Sequence, residues 1–319
     1  MRYFSVPLAL AALGLALGGC ATDFDSYEEI LTPRVLAVGA EPSTLIPGAT
    51  TTLSTFVTEP ASATYQWSWC PFVGGSSEGY PCLVPQDALQ TAIDDLLGAG
   101  TVTVPDYDLG TGATATLTHV IPPLVLQAFC DLLQGGMLPD PVDFPDCSRA
   151  FEIDVRVEVV QQGVTIEARR ELDLLYDVDD PINTTPTILG LTAIHDVTGA
   201  VIVLDPAAPT QLTRNTTYQL VADVSEADSE TYEKVPLQGG PAETVRESVR
   251  ISWFYQGGDL DRRATGFIDD GSPFADALEN EWRTPTIEER SDDTARLFLV
   301  IRDDRGGTSW IERTVELLP

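Results

Sequence analysis

The sequence predicts an all-β protein built from two β-sandwich domains in tandem, the first carrying a small helical insertion. Three observations predict it. Short runs that alternate polar and apolar residues recur between turn residues, the period-two mark of half-buried strands. Each half holds a Trp-bearing run, Tyr65–Cys70 and Val249–Tyr255. Each half also ends in a strand–turn–strand. Val155–Leu175 lies over Phe298–Leu318 without a gap, placing Gly163 on Gly306, Thr165 on Thr308 and Arg170 on Arg313. Self-similarity of this kind reads as two copies of one module.

Taken in order, residues 1–19 have the anatomy of a signal peptide. Arg2 gives a positive start, Val6–Leu17 is apolar but too short to span a bilayer, and Gly18-Gly19 supplies small residues before Cys20. Leu17-Gly18-Gly19-Cys20 resembles the bacterial lipobox, which implies lipidation of Cys20. Several acyl chains on one residue anchor firmly, where one alone is marginal. In enterobacterial lipoproteins an Asp after the Cys favours retention at the inner membrane. Ala21 stands there instead, so the resemblance implies an outer-membrane lipoprotein of the cell envelope. Residues 20–32 are polar and acidic and read as a tether.

The first domain is expected over 33–176. Arg34–Val38, Thr51–Val57 and Tyr65–Cys70 are strand-like, with Pro42, Pro47 and Gly48 between them. Trp67 and Trp69 share one face, expected to point inward. The rhythm breaks over 71–147. Pro85 opens a helical stretch with Leu89, Ala92, Ile93 and Leu96 on one side, ended by Gly98. A second helix is expected over Pro123–Leu133, with a strand-like piece, Thr114–Val120, between the two. This region reads as the insertion, its helices capping the sandwich core. Phe151–Val159 and Val164–Leu175, joined at Gln161-Gln162-Gly163, close the domain.

A linker is expected over 177–186 and the second domain over 187–319. Its strand-like runs are Thr187–Ala193, Thr217–Val224, Val249–Tyr255, Leu297–Ile301 and Trp310–Leu318. The final hairpin, Val300 through Asp303-Asp304-Arg305-Gly306-Gly307-Thr308, resembles the bacterial immunoglobulin-like and PKD-type modules of surface proteins. The opening, from Arg34–Val38 through Pro42 and Pro47-Gly48 to Trp69-Cys70-Pro71, resembles lipoproteins of myxobacteria and their relatives. These resemblances imply immunoglobulin-like sandwiches at a surface. They imply no reaction.

Composition narrows the function. Acidic residues number 49 against 18 basic, a formal charge of −31. Phosphate backbones repel such a chain, so no nucleic-acid partner is expected. With Cys20 lipidated, Cys70, Cys82, Cys130 and Cys147 remain, an even number suited to disulfides in an exported protein. Three pairings exist. Cys70–Cys82 and Cys130–Cys147 are favoured because each closes a short loop rich in Pro and Gly. No C-x-x-C occurs, and His119 and His195 are the two histidines, which excludes a zinc site of ordinary type. G-x-S-x-G, H-E-x-x-H and phosphate-binding glycine motifs are absent. No enzyme is expected, and a carboxylate-based envelope enzyme is the weakest alternative.

Calcium is the sharper alternative, because Ca²⁺ takes six to eight oxygen ligands, chiefly carboxylates and carbonyls. Acidic pairs recur, and Asp177, Asp179 and Asp180 sit at the expected domain boundary. Tyr176–Asn183 resembles the acidic linker of cadherin-like repeats, which implies a calcium-stiffened joint and calcium-dependent adhesion. The leading expectation is a lipid-anchored binding or structural module, with no cofactor, whose partner is an envelope protein or polysaccharide.

Overall fold

The computed structural model describes residues 26–74, 80–134, 150–234, 241–269 and 271–319. Cys20 and Cys147 lie outside these residues. The fold is all-β, two immunoglobulin-like sandwiches in sequence.

In the first half the strands are β1 (Val35–Glu41), β2 (Thr44–Leu45), β3 (Thr50–Val57), β4 (Thr64–Cys70), β5 (Asp108–Gly110), β6 (Thr114–Thr118), β7 (Ala150–Gln161) and β8 (Val164–Leu175). One sheet has the order β1-β3-β6 and the other β2-β8-β7-β4-β5. Helix α1 (Gln86–Leu97) lies between β4 and β5, and α2 (Pro123–Gln134) between β6 and β7. In the second half the strands are β9 (Ile188–His195), β10 (Val201–Val203), β11 (Thr210–Thr213), β12 (Thr217–Val224), β13 (Thr231–Lys234), β14 (Glu243–Arg246), β15 (Val249–Gln256), β16 (Asp259–Leu260), β17 (Ala264–Phe267), β18 (Glu279–Arg283), β19 (Thr294–Asp303) and β20 (Thr308–Leu318). Their sheets run β10-β9-β12-β18-β16 and β11-β20-β19-β15-β17, with β13 and β14 a separate hairpin.

The two halves share one plan. In each, an early strand leaves the first sheet and pairs in parallel with the last strand: Thr44 opposite Asp173 in one, Thr210 opposite Val315 in the other. Each core closes over tryptophans whose indole N–H groups all find acceptors, as burial requires. Trp67 donates to Gly112 O (2.9 Å), Trp69 to Asp106 O (2.8 Å) and Trp253 to Thr265 Oγ1 (3.0 Å). The helices do cap the first core. α1 buries Leu89 and Ile93, and α2 buries Val125, Leu126 and Phe129, all within the same apolar cluster. Gly98, at φ 94°, ends α1 with its N–H on Asp94 O (2.8 Å), a backbone position that favours glycine.

The structure differs from the sequence reading in four places. First, residues 71–147 are not all insertion. β5 pairs with β4 and β6 with β3, so both are sandwich strands. Ala115 and Leu117 alternate into the core, which makes β6 an integral half-buried strand. Second, the gapless overlay of the hairpins fails on their first strands. Core residues of β7 are Ile153, Val155, Val157 and Val159, and those of β19 are Ala295, Leu297, Leu299 and Ile301. The overlay instead sets Val155 on Phe298, which faces the opposite side of its sheet. Gln161 pairs with Val164 across a two-residue turn, with Gln162 and Gly163 at positive φ. In the other hairpin Asp303 N–H bonds Gly307 O across a turn one residue longer. A one-residue slip exchanges the faces of a strand. Third, residues 26–30 of the expected tether are docked. Tyr255 N–H bonds Glu28 O (3.0 Å), Ile30 N–H bonds Tyr255 O (2.8 Å), and Ile30 is buried. Fourth, the β13–β14 hairpin and strands β10, β11, β16, β17 and β18 are additions to the sequence reading.

Candidate functional site

The residues that deal with both domains converge where the sandwiches meet. The outward face of β1 and β3 packs on the outward face of β15, β19 and β20. Ile30, Leu36, Ala37 and Phe56 form a separate apolar cluster with Phe254, Phe298, Val300 and Trp310. Phe56 stacks on Trp310 (5.4 Å between centroids, 8° between planes) and meets Phe298 edge-on (5.9 Å). Gly39 lets Trp310 approach, since a Cβ there would stand 2.9 Å from the indole.

Arginines pin the edges of this cluster. Arg170 of β8 donates to Val38 O (3.0 Å), to Thr308 Oγ1 (3.1 Å) and to Gly306 O. Burial brings its guanidinium down to about 10. Arg296 donates to Thr58 O (2.9 Å) and pairs with Glu59 and Glu312. Arg302 donates to Leu36 O (3.0 Å).

The linker is tied in by Asn183, which is buried. Its Nδ2 donates to Ser43 Oγ (3.1 Å) in the first domain and to Asp303 Oδ2 (2.9 Å) in the second. Asp303 Oδ1 accepts from Arg305 N (3.0 Å) and Gly307 N (2.6 Å), folding the β19–β20 turn around one carboxylate. Beside it Arg305 pairs with Glu247 (2.7 Å) and Glu230 and lies over the Tyr232 ring (4.8 Å). Glu247 is 0% exposed. Burial pushes its carboxyl up to about 7, against the pull of Arg305. Burial would also raise Glu230, but donors on Thr184 and Arg305 hold it below its ordinary value. A cavity of about 790 Å³ opens here between Pro181 and Ile182 of the linker and Tyr232, Glu233 and Thr244 of the β13–β14 hairpin.

Asp177, Asp179 and Asp180 fall in a single linker turn and do not converge on a cation. Asp177 Oδ1 accepts Asp179 N–H (3.0 Å), and Asp180 Oδ2 accepts Asp177 N–H (3.3 Å). Among the described residues no three His, Cys, Asp or Glu side chains are placed to hold a metal. The contacts that join the two domains are made by Asn183, Arg170 and the apolar cluster.

Cys70 and Cys82 are disulfide-bonded. Cys130, on the buried side of α2, has its Sγ 3.4 Å from Tyr176 Oη, and its expected partner, Cys147, falls outside the described residues. His119 is buried, with Nε2 3.1 Å from Leu175 O, and burial lowers its pKa. His195 Nδ1 accepts from Val197 N–H (3.1 Å), a local turn contact. Glu152, Asp154, Glu171 and Asp173 stand on one outward face of β7 and β8, where Glu152 opposes Asp173 and Asp154 opposes Glu171. Arg169 pairs with Asp154 (2.9 Å) and Glu171 (2.6 Å). Burial and its acidic neighbours push Glu152 up to about 7. These acids share a single sheet face.

The sequence reading missed Arg170 as a junction residue, together with Phe56, Phe298 and Trp310. One signal was there. Leu297–Ile301 is apolar at every position, and a strand apolar on both faces is covered on both faces.

No family model and no curated protein matches the chain. Among solved structures, fibronectin(III)-like modules of Clostridium thermocellum CbhA align at 10% identity over 90% of this chain and 93% of theirs, with a TM-score of 0.22. Elastase-activated α2-macroglobulin of Escherichia coli aligns at 10% identity over 93% of this chain and 22% of its own, TM-score 0.22. The SGBP-B protein of a Bacteroides ovatus mixed-linkage glucan utilization locus aligns at 11% identity over 90% of this chain and 47% of its own, TM-score 0.19. Likenesses at these scores carry no functional argument, and the fold description rests on strand order and register.

Proposed function

We propose that this chain is a lipid-anchored, non-catalytic binding and spacing module of the bacterial outer envelope, acylated at Cys20. One observation carries the reading: the two sandwiches are held together by a buried junction of apolar side chains and arginine and asparagine hydrogen bonds. Outward sheet faces of the two domains are used to hold one on the other, and Arg296 and Arg305 are paired with carboxylates there. Docking of residues 26–30 supports it further, since the folded body would then begin within a few residues of the anchor. The Cys70–Cys82 bond suits an oxidising compartment outside the cytoplasm. The partner is proposed to be an envelope protein or polysaccharide.

Two measurements test this. Cells fed an alkyne fatty acid should label the protein, and Cys20→Ala should abolish the label. Crosslinking in intact cells should recover an envelope component. Turnover of a glycoside or ester substrate by the purified protein would overturn the reading.

A further inference from the structure

In a chain where acids outnumber bases by 49 to 18, one cavity reverses the ratio. It measures about 320 Å³ and lies between the docked N-terminal segment and the outward face of β15, β17 and β19. Arg250, Arg263 and Arg302 line it against a single carboxylate, Glu28, with Ser252 and Tyr27 completing its polar wall. Arg250 and Arg302 stand directly opposite each other on β15 and β19. Like charges so placed repel, and the arrangement destabilises a sheet unless an anion joins it. Among the described residues none of the three arginines makes an ion pair. The pairs formed elsewhere engage Arg169, Arg214, Arg246, Arg262, Arg283, Arg290, Arg296 and Arg305. Arg302 is held in place by its bonds to Leu36 O (3.0 Å) and Ser252 Oγ (3.4 Å), so its guanidinium is preorganised at the floor.

We propose that this pocket binds the carboxylate of an acidic sugar residue. Guanidinium forks match a carboxylate in two-point geometry. Glu28 and Ser252 are placed to meet ring hydroxyls, and Glu28 opposes a doubly charged phosphate. The Tyr27 ring, 71% exposed and braced by Phe254 at 5.9 Å, offers a flat apolar face at the mouth. The volume lies at the small end of ligand cavities, roughly 300–1,000 Å³, and suits one ring. This deepens the binding reading by naming a ligand class. It does not depend on acylation of Cys20.

The test is calorimetric titration of the purified chain at low ionic strength with glucuronate, glucose and inorganic phosphate. Glucuronate should bind and glucose should not. Arg250→Gln, at an exposed position, should weaken glucuronate by about tenfold or more, the worth of one charge-assisted hydrogen bond. Arg250→Gln with Arg263→Gln should abolish binding while the melting temperature of the ligand-free chain stays at or rises above the wild-type value, because the repulsion between Arg250 and Arg302 is relieved. Arg169→Gln, on the first domain, should leave glucuronate affinity unchanged. Absence of glucuronate binding, equal affinity in the double variant, or preference for phosphate over glucuronate overturns the assignment. None of those results touches the lipidation reading, which the labelling experiment decides separately.

Discussion

Arg305 shows how much one side chain can organise. It is held between two carboxylates and an aromatic ring, and Glu247 has no exposure at all. Removing one partner of a buried pair leaves the other charge stranded, which costs about 3–5 kcal/mol. Arg305→Ala should therefore destabilise the second domain by about that much at pH 8. At pH 5 the loss should be smaller, because Glu247, already pushed up to about 7, takes a proton and ceases to be a charge. Urea melts at both pH values check this, and a loss below about 1 kcal/mol at pH 8 would sink it. Glu152 gives a cleaner pH test. Its folded pKa lies above its ordinary value of 4.5, at about 7, so the folded state binds the proton more tightly than the unfolded state. That stability is fully present below about pH 4.5 and is lost as pH rises to about 7. Glu152→Gln should flatten this part of the stability–pH curve and leave the variant more stable than wild type at pH 8. An unchanged curve would assign the slope to another group.

At the scale of elements, local patterning was legible and partnering was not. The alternation in Tyr65–Cys70 and the helical spacing from Leu89 to Ile93 each depend on a single face, and a face is written in consecutive residues. β6 shows the limit. Its alternation was visible in Ala115 and Leu117, but only pairing with β3 makes it a sandwich strand, and pairing partners stand far apart in sequence. The hairpin overlay failed for a similar reason. Gly163 and Gly306 marked the turns correctly, yet a turn one residue longer in the second copy exchanges core and outward faces along β19. Strands β10, β16 and β17 are short pieces, and a two- to four-residue run carries too little periodicity to read. The junction was least legible, since Asn183 is an ordinary linker residue until Ser43 and Asp303 are brought to it. The disulfide is an element-scale device that the loop composition did indicate. Cys70–Cys82, twelve residues apart, ties the end of β4 to the approach to α1. In the chain-entropy account, closing a loop of this size contributes about 3 kcal/mol. Cys82→Ser should lower stability by about 2–4 kcal/mol in oxidising buffer and make stability insensitive to reductant at that site. A variant as stable as wild type would show that this bond does not constrain the unfolded chain.

Across the whole molecule the question is why two acidic sandwiches stay together. Their net charges repel, so attraction must come from the contact surface itself. The apolar part of that surface is small and centred on Phe56, which touches Phe298 and Trp310 at once. Around it the hydrogen bonds of Arg170, Arg296 and Arg302 run from one domain to backbone carbonyls of the other. Such bonds fix orientation well but add little stability each, about 0.5–1.5 kcal/mol, somewhat more where the donor is charged. The centre therefore decides whether the domains are one lever or two. Phe56→Asp places an unpaired carboxylate in that centre, where burial of a charge is strongly unfavourable. Each sandwich keeps its own core, because Phe56 belongs to neither. The expected outcome is a chain that remains folded, with wild-type near-ultraviolet tryptophan dichroism, but whose radius of gyration by small-angle scattering increases. The increase should be larger at low salt, where acidic repulsion is least screened. Calorimetry should then resolve two transitions in place of one. A variant with unchanged radius and a single transition would place the coupling in the arginine bonds and the linker, and Arg170→Ala combined with Asn183→Ala would become the perturbation that separates the domains.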